Sequence, residues 1–414
     1  MPDGDSGSAP ALLRERDYLR FLASRSMGAL GIQTQSVAMG WQVYELSRRT
    51  LGVGASSFNV SLIGLITFAP LFFLALPAGE TADRYDRRRL LLICYLGEMI
   101  PAAVLAAAGV MKFASVPLLL AIALVFGTSR SFFSPASTAL GPMLVPRELL
   151  PKAIAWNSLS FQAAAILGPA LAGALVAIGP GAAYVGALCL YLGAWTMLWR
   201  IRRDTRPAPQ SGSRLRLVRE GLAYIWTKKI VFGAISLDLA AVILGGATAL
   251  LPAFARDVLK VGPQGFGLLR AAPAAGAVLV AFYLSAHPLR TRAGAKMFVC
   301  VAVYALATIL FGASRSVWLS VAALAILGAA DNLSVFVRQT LVQLVTPDRM
   351  RGRVAAVSSL FISASNELGE FRGGLVARFL GPVSAVVYGG LGALVVTGIW
   401  AKLFPELRKA NRLA

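Results

Sequence analysis

Hydrophobic runs of about 20 residues or more follow one another along the whole chain, separated by short charged links. As a helix, each run is long enough to cross a hydrocarbon core of roughly 30 Å. Backbone polar groups in hydrocarbon must be satisfied within the protein, so runs of this kind restrict the fold to a bundle of helices. The composition agrees. Of 414 residues, 57% are hydrophobic and 14% charged, where a soluble domain carries roughly a quarter charged residues; the mean hydropathy is +0.69. The expected fold class is an all-α membrane protein with twelve transmembrane helices. They are placed near 20–46, 54–80, 88–109, 115–144, 149–178, 181–200, 230–255, 263–287, 294–312, 316–345, 352–377 and 381–403. The polar start MPDGDSGSAPALLRERDYLR does not have the pattern of a cleavable signal peptide. Cys94, Cys189 and Cys300 each stand alone in an apolar run and are read as small core residues.

Residues 201–213, RRDTRPAPQSGSR, interrupt the pattern and mark a linker. In the following RLRLVREGLAYIWTKK, Leu215, Val218, Leu222 and Ile225 recur at helical spacing among basic residues, which predicts an amphipathic helix on the membrane surface. Loops assigned alternately to the two sides give one side, with both termini, roughly four times the Lys and Arg of the other, which places both termini in the cytoplasm. Topology and contact with anionic lipids account for the net charge of +21. No nucleic acid is expected as a partner.

Residues 127–175 and 328–376 align without a gap. Gly127 matches Gly328, Pro146 matches Pro347, Ala155 matches Ala356, Ser158 matches Ser359, Gly168 matches Gly369 and Gly173 matches Gly374, always 201 residues apart. Spans four and five therefore correspond to spans ten and eleven. The chain reads as an N-terminal six-helix half (1–200), a cytoplasmic linker with its amphipathic helix (201–229) and a C-terminal six-helix half (230–414).

Between spans two and three stands GETADRYDRRRL (79–90), in which acids and bases alternate. Mixed charge of this kind suits defined contacts at helix ends. Gly79, Asp83, Arg84, Arg87 and Arg88 resemble the loop 2–3 signature of the major facilitator superfamily, with Asp86 where that pattern has Gly. Together with PDRMRGRVAAV (347–357) and SNELGEF (365–371), the chain is similar to the branch of enterobactin-type siderophore exporters and related drug exporters. LGPALAGAL in span five resembles an antiporter motif and equally suits packing by small residues. The loop 8–9 stretch HPLRTRAGAKM lacks the Asp of the signature. The resemblance implies that helices 1, 4, 7 and 10 line a central cavity. It also implies that Asp83 caps the start of helix eleven, near Gly352 and Arg353, with Arg84 and Arg87 as partners across the cytoplasmic seam, forming a conformational latch.

An ionisable group in hydrocarbon costs several kcal/mol unless it is paired or faces water. Asp238, Asp331, Glu367, Glu370 and Glu98 are the candidate proton-coupling groups. Arg25, Gln33, Arg130, Gln162, Asn332, Arg338 and Asn366 are the candidates for the substrate cavity, with the arginines suited to an anion. Structural readings stand beside these: an Arg130–Asp331 ion pair at equivalent positions of the repeat, a brace of Glu367, Glu370 and Arg372 on helix eleven, a base paired to Glu98, and polar residues that bond helix to helix.

Catalytic patterns are missing from the sequence. There is one histidine, His287, and no HExxH, GxSxG or GxxxxGK[ST]. No catalytic residue, metal site or cofactor is expected, and an ion gradient is the available energy source. The expectation is a secondary transporter of the bacterial inner membrane, working by alternating access. It would export a siderophore or another amphipathic, possibly anionic, organic molecule by proton antiport. Uptake or flipping of a lipid-like or nutrient molecule, and a non-transporting receptor or scaffold on the same fold, are the alternatives.

Overall fold

The computed structural model describes residues 9–206, 214–287 and 293–409. Among them, ten helices are long and apolar enough to cross a membrane. Two further helices, Arg16–Ser47 and Asp348–Leu380, are the longest in the chain and carry more charge. The twelve are numbered α1 (Arg16–Ser47), α2 (Val53–Phe73), α3 (Arg87–Val110), α4 (Val116–Leu140), α5 (Leu150–Ile178) and α6 (Pro180–Trp199), then α7 (Lys229–Gly245), α8 (Gly262–Ala286), α9 (Ala293–Ala313), α10 (Val317–Val345), α11 (Asp348–Leu380) and α12 (Pro382–Leu403). The protein is an all-α membrane protein with the twelve-helix architecture expected.

Helix starts follow local chemistry. Proline occupies the first turn of α4, α5, α6, α8 and α12, where its missing N–H costs nothing. α3 is capped by Asp86, whose side chain accepts from the N–H groups of Arg88 at 2.9 Å and Arg89 at 3.3 Å.

Two spans are less continuous than the sequence suggested. The second is interrupted at Leu74, after Pro70, and resumes as Ala75–Arg84. The seventh ends as a regular helix at Gly245 and continues through a 3₁₀ turn at Thr248–Leu250 to a π-helical turn at Phe254–Val258.

The chain forms two compact units. One contains residues 1–42 and 69–212, the other residues 43–68 and 213–414. The first is built on a core that includes Tyr18, Phe21, Tyr95, Tyr191 and Leu198. The second has a core that includes Met297, Phe298, Val301, Val337 and Leu341. A smaller cluster joins Ile225 of the linker helix Arg214–Thr227 to Val354 and Val357 of α11. That helix thus packs an apolar face on protein. Leu222 borders the cluster, whereas the side chains of Leu215 and Val218 lie outside the described residues, as do 207–213 of the linker and 288–292 of loop 8–9. Cys94 and Cys300 are buried, but Cys189 is exposed on the helix surface and is not a core residue.

The repeat has a direct structural counterpart. In the first unit, Gly168 of α5 lies against Gln33 of α1 with no room for a Cβ, and Thr34 donates to the Gly168 carbonyl at 3.5 Å. In the second, Gly369 of α11 lies against α7, where a Cβ would stand 2.5 Å from the Val242 carbonyl oxygen. The two glycines, matched at one offset in the sequence, therefore do the same work in each unit: they bring one long helix against the first helix of its half.

Candidate functional site

α7 carries Asp238 and α10 carries Arg338. Asp238 is 7% exposed and Arg338 3% exposed, and Arg338 Nη1 lies 2.5 Å from Asp238 Oδ2. Asp331 stands seven residues before Arg338, about two turns away on the same face of α10, and is half-buried. It lies close enough to both members of the pair to feel their charges. Arg338 is thus paired with Asp238, and Asp331 lies further along the same helix face. Taking two ions out of water costs several kcal/mol each, and the close contact offsets part of it, while Nε and Nη2 of Arg338 have no hydrogen-bond partner among the described residues.

Further along the second unit, Glu370 of α11 faces Arg270 of α8 at 3.7 Å. Glu367 and Glu370 also press on α2: a Cβ at Gly64 would sit 2.6 Å from Glu367 Oε2. Arg372 does not join these acids. Its guanidinium donates to the carbonyl of Leu244, at the point where α7 stops. The last carbonyls of a helix have no intrahelical partner, so Arg372 satisfies a polar group that the break exposes. Asn332 gives its amide N–H to the Ala277 carbonyl at 2.9 Å, tying α10 to α8. Asn366 is exposed.

The first unit holds Glu98 in the middle of α3. It is 0% exposed, and among the described residues neither carboxylate oxygen has a hydrogen-bond partner. The hydroxyl of Tyr191 and the indole N–H of Trp195, both on α6, are likewise buried without one. Arg130 of α4 exerts its charge on Glu98, and its guanidinium lies 5.6 Å from the Phe126 ring centre. Arg25 of α1 donates to Ser137 of α4 at 2.9 Å. Gln33 and Gln162 are half-buried.

The residues of the 79–90 stretch make contacts both within the stretch and with other elements of the first unit. Arg84 pairs with Glu80 one turn away at 2.5 Å. Arg87 reaches the sulfur of Met143 at 2.7 Å. Arg88 donates to the carbonyls of Leu198, at 3.2 Å, and Trp199, both at the end of α6. Gly79 is buried and Asp83 half-buried. Asp86, noted in the sequence only as a departure from a pattern, is the best-connected residue here: besides capping α3, it accepts from the hydroxyl of Thr205 at 2.5 Å.

A second cluster has no counterpart in the sequence reading. At the end of α1, Tyr44 donates to Asp257 of the π-helical turn, and Arg48 Nη2 lies 3.2 Å from the same carboxylate. Arg256 pairs with Glu45 at 3.2 Å. The signal was present as opposite charges at the ends of spans one and seven, which were weighed only for topology.

Over residues 7–413 the sequence matches the family described as transmembrane secretion effectors. The chain is 27% identical over 402 residues to the enterobactin exporter EntS of Escherichia coli O1:K1, covering 94% of this chain and 91% of that one. The enterobactin exporter EntS of Citrobacter koseri matches to the same extent. In structure it is similar to a D-xylose–proton symporter, with TM-score 0.70, 13% identity, and coverage of 94% of this chain and 98% of that one. A bacterial homologue of the iron transporter ferroportin in an inward-facing state gives TM-score 0.67 at 17% identity, covering 96% and 99%. With twelve helices, an internal repeat and a match that runs almost from end to end, the chain belongs to the transmembrane secretion effector family of the major facilitator superfamily.

Proposed function

We propose that this protein exports a siderophore or a similar amphipathic organic molecule from the bacterial cytoplasm by alternating access, driven by protons moving the other way. The observation that carries the reading is the buried Asp238–Arg338 pair with Asp331 beside it. One ion pair with a second carboxyl group on the same helix face is a set of groups whose total charge changes when a proton enters or leaves. Such a set is costly in a membrane and gives a static scaffold nothing. The relatives named as enterobactin exporters support the direction and the class of cargo. The basic side of the topology supports an inner-membrane location with both termini in the cytoplasm.

Asp238 and Asp331 are assigned as the proton-coupling groups, with Glu367, Glu370 and Glu98 as further candidates. Arg338, Arg130 and Arg25 are assigned to attract cargo or balance charge, and Gln33, Gln162, Asn332 and Asn366 to hydrogen-bond it. Gly79, Asp83, Arg84, Arg87 and Arg88 are assigned to hold the cytoplasmic side closed during part of the cycle.

Proteoliposomes with an imposed pH gradient test the coupling. Asp238→Asn or Asp331→Asn is expected to stop gradient-driven export while counterflow exchange of the same cargo continues. Undiminished gradient-driven flux in both variants would remove these two residues from the coupling path.

A further inference from the structure

Lys229, the first residue of α7, and Glu406, in the helical turn Pro405–Arg408 that follows α12, line one cavity of about 150 Å³ in the second unit. The rest of its wall is Leu403, Phe404, Pro405 and Leu407. Both charged side chains are exposed, and neither has an ion-pair or hydrogen-bond partner among the described residues. A base and an acid thus face one space without pairing, and both are open to a third group. The surroundings are those of a membrane surface. Ring centres run from Trp226, at the end of the linker helix, to Phe232 at 4.9 Å, then to Phe404 at 6.1 Å and to Trp400 at 6.2 Å. Aromatic residues gather at the level of lipid headgroups. Trp226 is 66% exposed and Leu403 63% exposed, which leaves apolar surface beside the cavity. Lys228, Lys402, Arg408 and Lys409, close by along the chain, are exposed as well. On the topology read from the basic loops, this edge faces the cytoplasm.

We propose that this cavity binds the headgroup of phosphatidylglycerol. Lys229 donates to the phosphate, Glu406 accepts from the glycerol hydroxyls, and Leu403 and Trp226 lie against the acyl chains. Charge selects this lipid among the alternatives. A base and an acid by themselves would suit the zwitterion phosphatidylethanolamine, but the cations around them favour a lipid of net negative charge. Phosphatidic acid has the charge without the hydroxyls, so Glu406 repels it and gains no hydrogen bond in return. The volume admits a compact headgroup and leaves the chains outside, along the exposed apolar surface. Phe404 of the cavity wall already packs on Gly233 of α7 with no room for a Cβ. A lipid held between Lys229 and Glu406 adds a second tie between the start of α7 and the end of α12. The site is filled whether or not cargo moves, and so stands apart from the export reading.

Native mass spectrometry of the full chain in detergent, titrated with each lipid in turn, measures the site. The parent is expected to bind phosphatidylglycerol more tightly than phosphatidylethanolamine or phosphatidic acid. Lys229→Gln should weaken phosphatidylglycerol about tenfold, the size of a lost hydrogen bond to a charged group. Lys409→Gln removes the same charge from the same edge outside the cavity and should change it little. Glu406→Ala decides the matter by its sign. If the bases only attract anions, losing an acid tightens both anionic lipids. If Glu406 holds the glycerol, phosphatidylglycerol weakens about tenfold while phosphatidic acid does not. All three substituted side chains are exposed, so the fold is expected to survive, and thermal unfolding of each variant checks it. Tighter phosphatidylglycerol binding in Glu406→Ala, or equal losses in Lys229→Gln and Lys409→Gln, would overturn the site. Phosphatidylethanolamine binding the parent best would overturn the choice of lipid. Glycerol phosphate offers the same headgroup from water; if it binds the parent as tightly as the phospholipid, the cavity is not a lipid site.

Discussion

Asp238 and Glu98 make an instructive pair. Both are buried carboxyl groups in the middle of a membrane helix, one in each unit, and both have an arginine in their surroundings. Asp238 meets Arg338 at 2.5 Å with Asp331 nearby. Neither Glu98 oxygen has a hydrogen-bond partner among the described residues. Arg130 acts on it only at a distance, with its guanidinium near Phe126. The first site holds charge together with its compensation. The second offers an ionised carboxylate no hydrogen-bond partner among the described residues, only the more distant charge of Arg130. The two units handle buried charge in different ways.

The largest expected effect tests the compensated site. Arg338→Met keeps much of the side-chain length and removes the charge, leaving Asp238 buried alone. Breaking such a pair from one side costs about 3–5 kcal/mol, which should appear as a marked drop in thermal stability in detergent. Adding Asp238→Asn to the same chain should restore most of it. If Arg338→Met by itself unfolds with the parent, the pair is not what holds α7 to α10.

At the end of α1, Asp257→Asn keeps the hydrogen bond from Tyr44 and loses the charge that faces Arg48. A partly exposed pair of this kind is worth about 0.2–1 kcal/mol. The expected outcome is a modest shift of spin-label distances between residues at the end of α1 and the π-helical turn, without loss of the fold. An identical distance distribution would show that Tyr44 alone holds this contact. Asp86→Ala removes the cap of α3 and the acceptor for Thr205, and should cost about 1 kcal/mol. Hydrogen exchange at the Arg88 and Arg89 amides should speed up, because these are the groups that Asp86 accepts from; unchanged exchange would rule out the cap.

The smallest effect belongs to the uncompensated site. Glu98→Gln is the same chemical change as Asp238→Asn, yet it breaks no ion pair and no hydrogen bond with a described residue. It should alter stability by less than about 1 kcal/mol. A large loss would mean that Glu98 is held ionised by Arg130 after all, and the contrast between the halves would collapse.

These contrasts show where the sequence was readable. Spans, linker and repeat were legible because hydrophobic length and a fixed offset are properties of the chain itself. The Gly168–Gly369 match marked equivalent positions of the repeat, but the helices that these glycines approach, α1 and α7, are seen only in the structure. The neighbourhood of Asp331 and Arg338 was visible because both lie on one helix face. The ion pair with Asp238 was not, because nothing in a one-dimensional pattern states how α7 and α10 are rotated. Arg372 was grouped with Glu367 and Glu370 by proximity along the chain, whereas its partner is a backbone carbonyl, a group that every residue has. The Gly245–Gly246 pair was the available hint that α7 would stop there. Asp86 was masked by the expectation of glycine at its position.

Arg372 and the stop in α7 have a mechanical consequence. A continuous helix transmits a push at one end to the other. α7 does not, because its ladder of hydrogen bonds is cut after Gly245 and the Leu244 rung is anchored sideways to α11. The segment that bears Asp238 is thereby joined to the Tyr44–Asp257 contact through a break and a 3₁₀ turn rather than through one continuous helix. Arg372 is the pivot pin of that joint. Withdrawing it would leave a carbonyl without a partner, and the least costly repair is to wind the chain back into helix. The rod so restored would carry movement at the C-terminal end of α1 to the buried acid.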